Sequence, residues 1–202
     1  MSFAILCPGQ ASQKVGMGQD LYQETELGKS YFNVANDILG VDIQDIIFGG
    51  PEKTLKQTQY TQPAIYIVSV IISELLKKKG VMPTCAAGHS LGEYSALAIS
   101  GAFDFETGLE LVKVRAKGMQ NAAKVHPGTM AAVIGMDDEK VKELCNAFSD
   151  GIVVAANYNA KGQVVISGEV DAVRAIMPQM KNAGALKVVE LNVGGAFHSP
   201  LM

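Results

Sequence analysis

The apolar positions of this chain alternate between short unbroken runs and stretches at helical spacing. Phe3-Ala4-Ile5-Leu6-Cys7 is continuously apolar, the pattern of a short strand buried on both faces of a parallel sheet. Met1-Ser2-Phe3 leads into it, and Pro8 to Gln13 follows as a loop with a helix beyond. Tyr31 to Leu39 and Ala64 to Lys79 read as helices, with Pro63 in the first turn of the second. A strand over 84–87 and a helix over 91–99 come next. A further helix covers about 105–121, where Leu109, Val112, Ala116 and Met119 recur at three and four residues. Arg115 flanks that stripe, which puts it at the core boundary.

The pattern changes after Lys124. Met130 to Ile134 reads as a strand, Asp137 to Phe148 as a helix opened by acidic residues, and Ile152 to Ala156 and Gln163 to Ile166 as strands around a turn at Asn157 to Gly162. Val170 to Asn182 is a second helix and Leu186 to Leu191 a final strand. The order β-α-β-β-α-β is that of a ferredoxin-like unit. The expected organisation is an α/β large domain with a parallel sheet over 1–124, an inserted ferredoxin-like small domain over 125–193, and a return to the large domain over 194–202. The tail from Asn192 to Met202 carries a histidine in a glycine-rich loop and stops as an apolar run begins, so the fold reads as incomplete at the carboxyl end.

Composition narrows the function classes. The chain has 202 residues, 48% apolar and 18% charged, with a net charge of -3 and a pI near 5.6. That is enough to bury a full core, and it speaks against a nucleic-acid binder, which needs a basic surface. The basic run Lys77-Lys78-Lys79 sits at a helix end, where the helix dipole accounts for it. No apolar run reaches membrane-spanning length and no signal peptide opens the chain. Cys7, Cys85 and Cys145 are odd in number and far apart, the usage of structural thiols in a reducing cytoplasm. The histidines and cysteines form no close cluster, so no metal site is expected.

Chemistry concentrates at Gly88-His89-Ser90-Leu91-Gly92. A Gly-x-Ser-x-Gly segment between a strand and a helix is the pattern of a nucleophile elbow: the glycines permit a sharp turn around a strained serine, and the helix aims N–H groups at an oxyanion. Glycine is frequent here (21 residues), so an inert strand-to-helix turn is the competing reading. A serine nucleophile needs a base. His198 is preferred; His89, next to Ser90, is expected to support the elbow, and His126 to sit in a hinge loop. Arg115 offers a guanidinium for a carboxylate, or a surface ion pair with Glu106 or Glu110. Gln10 and Gln62, beside prolines at strand-to-helix connections, either orient a substrate or satisfy local backbone; Asn157 and Asn159 are ordinary turn residues.

Several segments together resemble the malonyl-CoA:acyl carrier protein transacylase family. They are Leu6 to Gln10, Gln62 to Ile65, Gly88 to Tyr94, Arg115 with Met119-Gln120, Asn157 to Asn159 through Gln163 to Gly168, and Ala196 to Met202, in family order along nearly the whole chain. The resemblance implies an α/β-hydrolase-like large domain with an inserted ferredoxin-like one. It implies Ser90 as the acylated nucleophile, His198 as its base, and the N–H groups of Gln10 and Leu91 as the oxyanion hole. Arg115 would take the malonyl carboxylate, Gln62 would order the site, and His89, Met119, Asn157 and Phe197 would line it. Phe197 before His198 matches the malonyl-selective pattern. No bound cofactor is implied. The substrate would be malonyl-CoA, the partner acyl carrier protein, the setting cytoplasmic fatty acid biosynthesis, and nucleic acid and membrane play no part.

The chain departs from the family pattern at Ala11 and Ala116, where glycine is usual, and at Cys7, where phenylalanine is common. Ala11 restricts its loop if the backbone there needs positive φ. Family members also continue for roughly a hundred residues, which supply the carbonyl orienting the catalytic histidine. Two other functions stay open on sequence: a serine thioesterase or esterase using Ser90 and His198 with water, and an inactive, truncated relative that binds the carrier protein.

Overall fold

The computed structural model describes residues 3–202; the expected approach to the first strand through Met1 and Ser2 lies outside the described residues. The chain divides into two compact units, Met1–Lys117 and Gly118–Met202. Among the described residues no helix is long and apolar enough to cross a membrane.

In the first unit, β1 (Ala4–Cys7) pairs in parallel with β2 (Cys85–Gly88), Ala4 opposite Cys85 and Cys7 opposite Gly88. Around this pair the chain forms α1 (Gln19–Glu24), α2 (Glu26–Leu39), a π-helical turn (Asp45–Gly49), α3 (Glu52–Leu55), α4 (Thr58–Lys78), α5 (Gly92–Ile99) and the start of α6 (Phe105–Val125). The core gathers Phe32, Ile43, Ile47, Leu55, Ile67 and Leu109, all fully buried. Tyr66 is buried among them; its hydroxyl donates to the Phe105 carbonyl at 3.1 Å, which removes the cost of an unpaired polar group there. Burial drives its phenol pKa well above the ordinary range.

The second unit is a four-stranded antiparallel sheet in the order β4-β5-β3-β6, from β3 (Gly128–Ile134), β4 (Val153–Ala160), β5 (Gln163–Glu169) and β6 (Lys187–Glu190). With α7 (Asp138–Ala147) and α8 (Val170–Asn182) it has the ferredoxin-like connectivity read from the sequence. The apolar faces of α7 and α8 close over the sheet: Val141, Cys145, Val173, Ile176 and Met180 bury with Ala131, Val133 and Ile166. Asp137 caps α7, its carboxylate accepting from the N–H groups of Glu139 and Lys140.

Several expectations are corrected. Strand β1 is not buried on both faces, because Leu6 is 77% exposed and only Cys7 is fully buried. Helix α2 starts at Glu26 rather than Tyr31, where the Thr25 hydroxyl accepts from Gly28 N–H at 2.9 Å and fixes its N-terminus. Helix α4 starts at Thr58, so Pro63 lies inside it and not in its first turn. The Gln57 carbonyl takes the N–H groups of Tyr60 and Thr61, and the Thr61 hydroxyl donates to the Leu55 carbonyl, so the extra turn is locally satisfied. Gln62 is accordingly a mid-helix residue rather than a connection residue. Asn157, Tyr158 and Asn159 belong to β4 and not to a turn: irregularities in the ladder between Ala155 and Asn157, and between Tyr158 and Ala160, carry the strand to Ala160. Only Lys161-Gly162 turns, with Gly162 at φ 75°.

Candidate active site

The elbow forms because glycine is required on both sides of Ser90. A Cβ at Gly88 would stand 1.9 Å from the Gly92 carbonyl carbon, and one at Gly92 would stand 2.1 Å from the Cys7 carbonyl oxygen. The end of β1 therefore passes directly against the start of α5. His89 N–H donates to the Cys7 carbonyl at 3.0 Å, extending the parallel pairing to the residue before the serine. Ser90 is then forced to φ 52°, a left-handed conformation that costs a non-glycine residue roughly 1–2 kcal/mol. It is half-buried, at the head of α5.

Arg115 reaches this serine from α6. One guanidinium nitrogen donates to Ser90 Oγ at 3.0 Å, and another donates to Gln62 Oε1 at 2.6 Å. Gln62 is 1% exposed on α4, so α4, α6 and the elbow converge on one hydrogen-bonded group. The Arg115 guanidinium also lies over the Tyr94 ring, 5.6 Å from its centroid. Burial lowers its pKa, while Tyr94 and Glu93 act in the opposite direction. The surface ion pair open on sequence does not form: Glu110 pairs with Lys113 at 3.6 Å. Among the described residues this half-buried cation has no carboxylate ion-pair partner.

The loop after β1 faces the elbow. A Cβ at Gly9 would meet the His89 carbonyl oxygen at 2.6 Å and its Nδ1 at 2.9 Å, so the exposed His89 packs on this loop. Gln10 is anchored by its Nε2, which donates to Thr58 Oγ1 at 3.3 Å. Its backbone N–H, like that of the fully buried Leu91, has no acceptor among the described residues. Ala11 adopts φ 85°, the positive-φ backbone that makes its substitution for glycine costly, and its N–H donates to Gln13 Oε1 at 2.9 Å.

The remaining candidates lie in the second unit. Phe197 and Met119 pack in one apolar cluster with Met130 and Val165. Asn157 is half-buried on β4, opposite Val165. His198 is exposed and adopts φ 58° in the turn after Phe197. Ser199 braces that turn by donating to the Ala196 carbonyl at 2.7 Å and accepting from Leu201 N–H at 3.2 Å. Thus Ser90, Arg115 and Gln62 are joined directly, while His198, Asn157, Met119 and Phe197 belong to the other unit. The sequence reading missed Thr58, because the start of α4 was not legible. It also gave Tyr94 no role, although a residue four positions after the nucleophile lies one helical turn along α5.

Comparison with known proteins matches this geometry to one family. The acyl transferase domain model matches residues 4–202. A malonyl CoA-acyl carrier protein transacylase of Synechocystis is 45% identical over 203 residues, covering 100% of this chain and 66% of that protein. The one from Bacillus subtilis is 39% identical over 201 residues, covering 98% of this chain and 63% of its own length. A solved malonyl-transacylase in complex with a type II PKS acyl-carrier protein superposes with a TM-score of 0.94 at 40% identity, covering 100% of this chain and 66% of that one. The chain thus spans a little under two thirds of these relatives. Elbow, half-buried arginine and sequence match agree: the chain belongs to the acyl transferase domain family and resembles, over its whole length, the malonyl CoA-acyl carrier protein transacylases.

Proposed function

We propose that this chain carries the malonyl-binding and acyl-accepting part of an [acyl-carrier-protein] S-malonyltransferase. It would move a malonyl group from malonyl-CoA to the phosphopantetheine thiol of acyl carrier protein in cytoplasmic fatty acid biosynthesis. The observation that carries the reading is the half-buried Arg115 guanidinium, 3.0 Å from the hydroxyl of a serine held at an elbow. A cation there selects an acyl group that ends in a carboxylate, and its planar fork orients that group.

Ser90 Oγ attacks the thioester carbon and its proton passes to His198 as general base. The oxyanion accepts from the N–H groups of Gln10 and Leu91, each such donor being worth about 2.7–4 kcal/mol. Collapse breaks the C–S bond, and the leaving CoA thiolate takes the proton from His198. In the second half-reaction the carrier thiol gives its proton to His198 and attacks the malonyl-serine ester, and Ser90 Oγ recovers a proton as it leaves. Gln62 holds the guanidinium in place, and His89, Met119, Asn157 and Phe197 line the acyl site. No cofactor takes part.

Incubation with malonyl-CoA and acyl carrier protein, followed by intact mass, tests the sequence of events. The expected course is one malonyl group on the protein, then on the carrier. Malonate released without carrier loading would make the protein a hydrolase instead. Arg115→Ala is expected to slow malonyl loading about a hundredfold, in line with loss of a charged hydrogen-bond partner worth ~2–4 kcal/mol, with a much smaller effect on an uncharged acyl group. Equal losses would remove Arg115 from carboxylate binding.

A further inference from the structure

The guanidinium that recognises the acyl carboxylate needs a fixed direction as well as a charge. Arg115 is an unbranched side chain with several rotatable bonds, and its two hydrogen bonds, to Gln62 Oε1 and Ser90 Oγ, both lie at the end of the fork. The Ser90 bond cannot persist through the reaction as proposed, since that oxygen becomes an ester. At the acyl-enzyme stage the guanidinium still has Gln62, the charge of Glu93 and Tyr94, whose ring centroid is 5.6 Å from its central carbon. Tyr94 is itself anchored. It sits in the first half of α5, half-buried, and packs against the main apolar core of the first unit.

From this arrangement we propose that Tyr94 is a positioning residue for acyl selectivity. Its ring face holds the Arg115 guanidinium in the carboxylate-reading orientation when Ser90 is acylated. The inference rests on the malonyl-transfer reading. The relevant property is the aromatic face, whose negative quadrupole attracts a flat cation and leaves the edge N–H groups free for the carboxylate. Tyr94 lies in the first turn of the helix that follows directly on the elbow, four residues after Ser90, so the ring is carried close to the serine.

Two measurements on the same protein test this. The first is the ratio of Ser90 loading rates with malonyl-CoA and acetyl-CoA; the second is the Arg115 Nε–Hε resonance in the substrate-free protein. Tyr94→Leu should lower the malonyl-to-acetyl ratio about fivefold to tenfold, chiefly through a higher KM for malonyl-CoA, and should broaden or shift the Arg115 resonance. Tyr94→Phe, which keeps the ring, should recover most of both. An unchanged ratio or resonance in Tyr94→Leu would overturn the proposal, as would a Tyr94→Phe variant as impaired as Tyr94→Leu. If the unsubstituted protein loads neither thioester, the transferase reading fails by itself. The Arg115 resonance across the variants still decides whether Tyr94 orders the guanidinium.

Discussion

The two units hold their loops in different ways. In the second, the inner strands β3 and β5 have partners on both sides, and two amphipathic helices cover the sheet, so a continuous ladder fixes the backbone. In the first, β1 and β2 pair only with each other among the described residues, and Leu6 faces outward at 77% exposure. There the positions are set by close approach instead: Gly88 against Gly92, Gly92 against Cys7, and Gly9 against His89. Among the described residues three non-glycine residues have positive φ, and two of them, Ser90 and Ala11, lie within two residues of these contacts. Where pairing is sparse, steric contact positions the loops, and the backbone strain falls at Ser90, the serine proposed as nucleophile.

The largest effect should come from breaking that contact. Gly92→Ala would drive a methyl group into the Cys7 carbonyl, so a loss of more than ~3 kcal/mol is expected in chemical denaturation. Gly118→Ala, in an open position of α6, should be neutral or stabilise by up to ~1 kcal/mol. Similar losses in the two variants would deny the elbow its steric origin.

Next in size is a response of the second unit to alkali. Burial raises the Cys145 thiol from 9.0 to about 11. The thiol thus stays protonated in the folded protein when it has begun to ionise in the unfolded chain, and the unfolded state binds fewer protons in that interval. The contribution of this thiol is therefore fully present below pH 9 and is lost as pH rises toward 11, by up to ~3 kcal/mol. Cys145→Ala should unfold with a flatter pH dependence over that interval; an equal slope in both proteins would contradict it.

Two smaller effects sharpen the comparison further. Hydrogen exchange of amides in β3 and β5 should be at least tenfold slower than in β1 and β2, a difference of ~1.4 kcal/mol or more in local opening. Equal protection would show that close approach holds β1 and β2 as firmly as the ladder holds β3 and β5. Ala11→Gly should raise the melting temperature, by relief of about 1 kcal/mol at φ 85°. No gain would mean that the extra freedom glycine gives the unfolded chain offsets the relief of strain.

Legibility in the sequence followed the same division. The β-α-β-β-α-β order of the second unit is visible because each element buries one face, and α8 runs from Val170 to Asn182 as its apolar spacing indicates. The elbow is visible because glycine, serine and glycine there each have a local reason. The helix starts at Glu26 and Thr58 were not, since they depend on caps and carbonyls several residues away rather than on periodicity. Asn157 to Asn159 favour turns intrinsically, and only pairing with β5 shows that they form strand. The Arg115 contacts with Gln62 and Ser90 span 53 and 25 residues of sequence. No spacing rule reaches that far, so the arginine alone was ambiguous between substrate and surface.

The central claim is that Ser90 is the acyl acceptor and that Arg115 selects what it accepts. Peptide mapping of the protein after brief exposure to malonyl-CoA tests it most directly. The account predicts the malonyl group on Ser90, absent in Ser90→Ala and strongly reduced in Arg115→Ala. Malonyl on the exposed Cys85 thiol, or label of equal extent in Ser90→Ala, would contradict it.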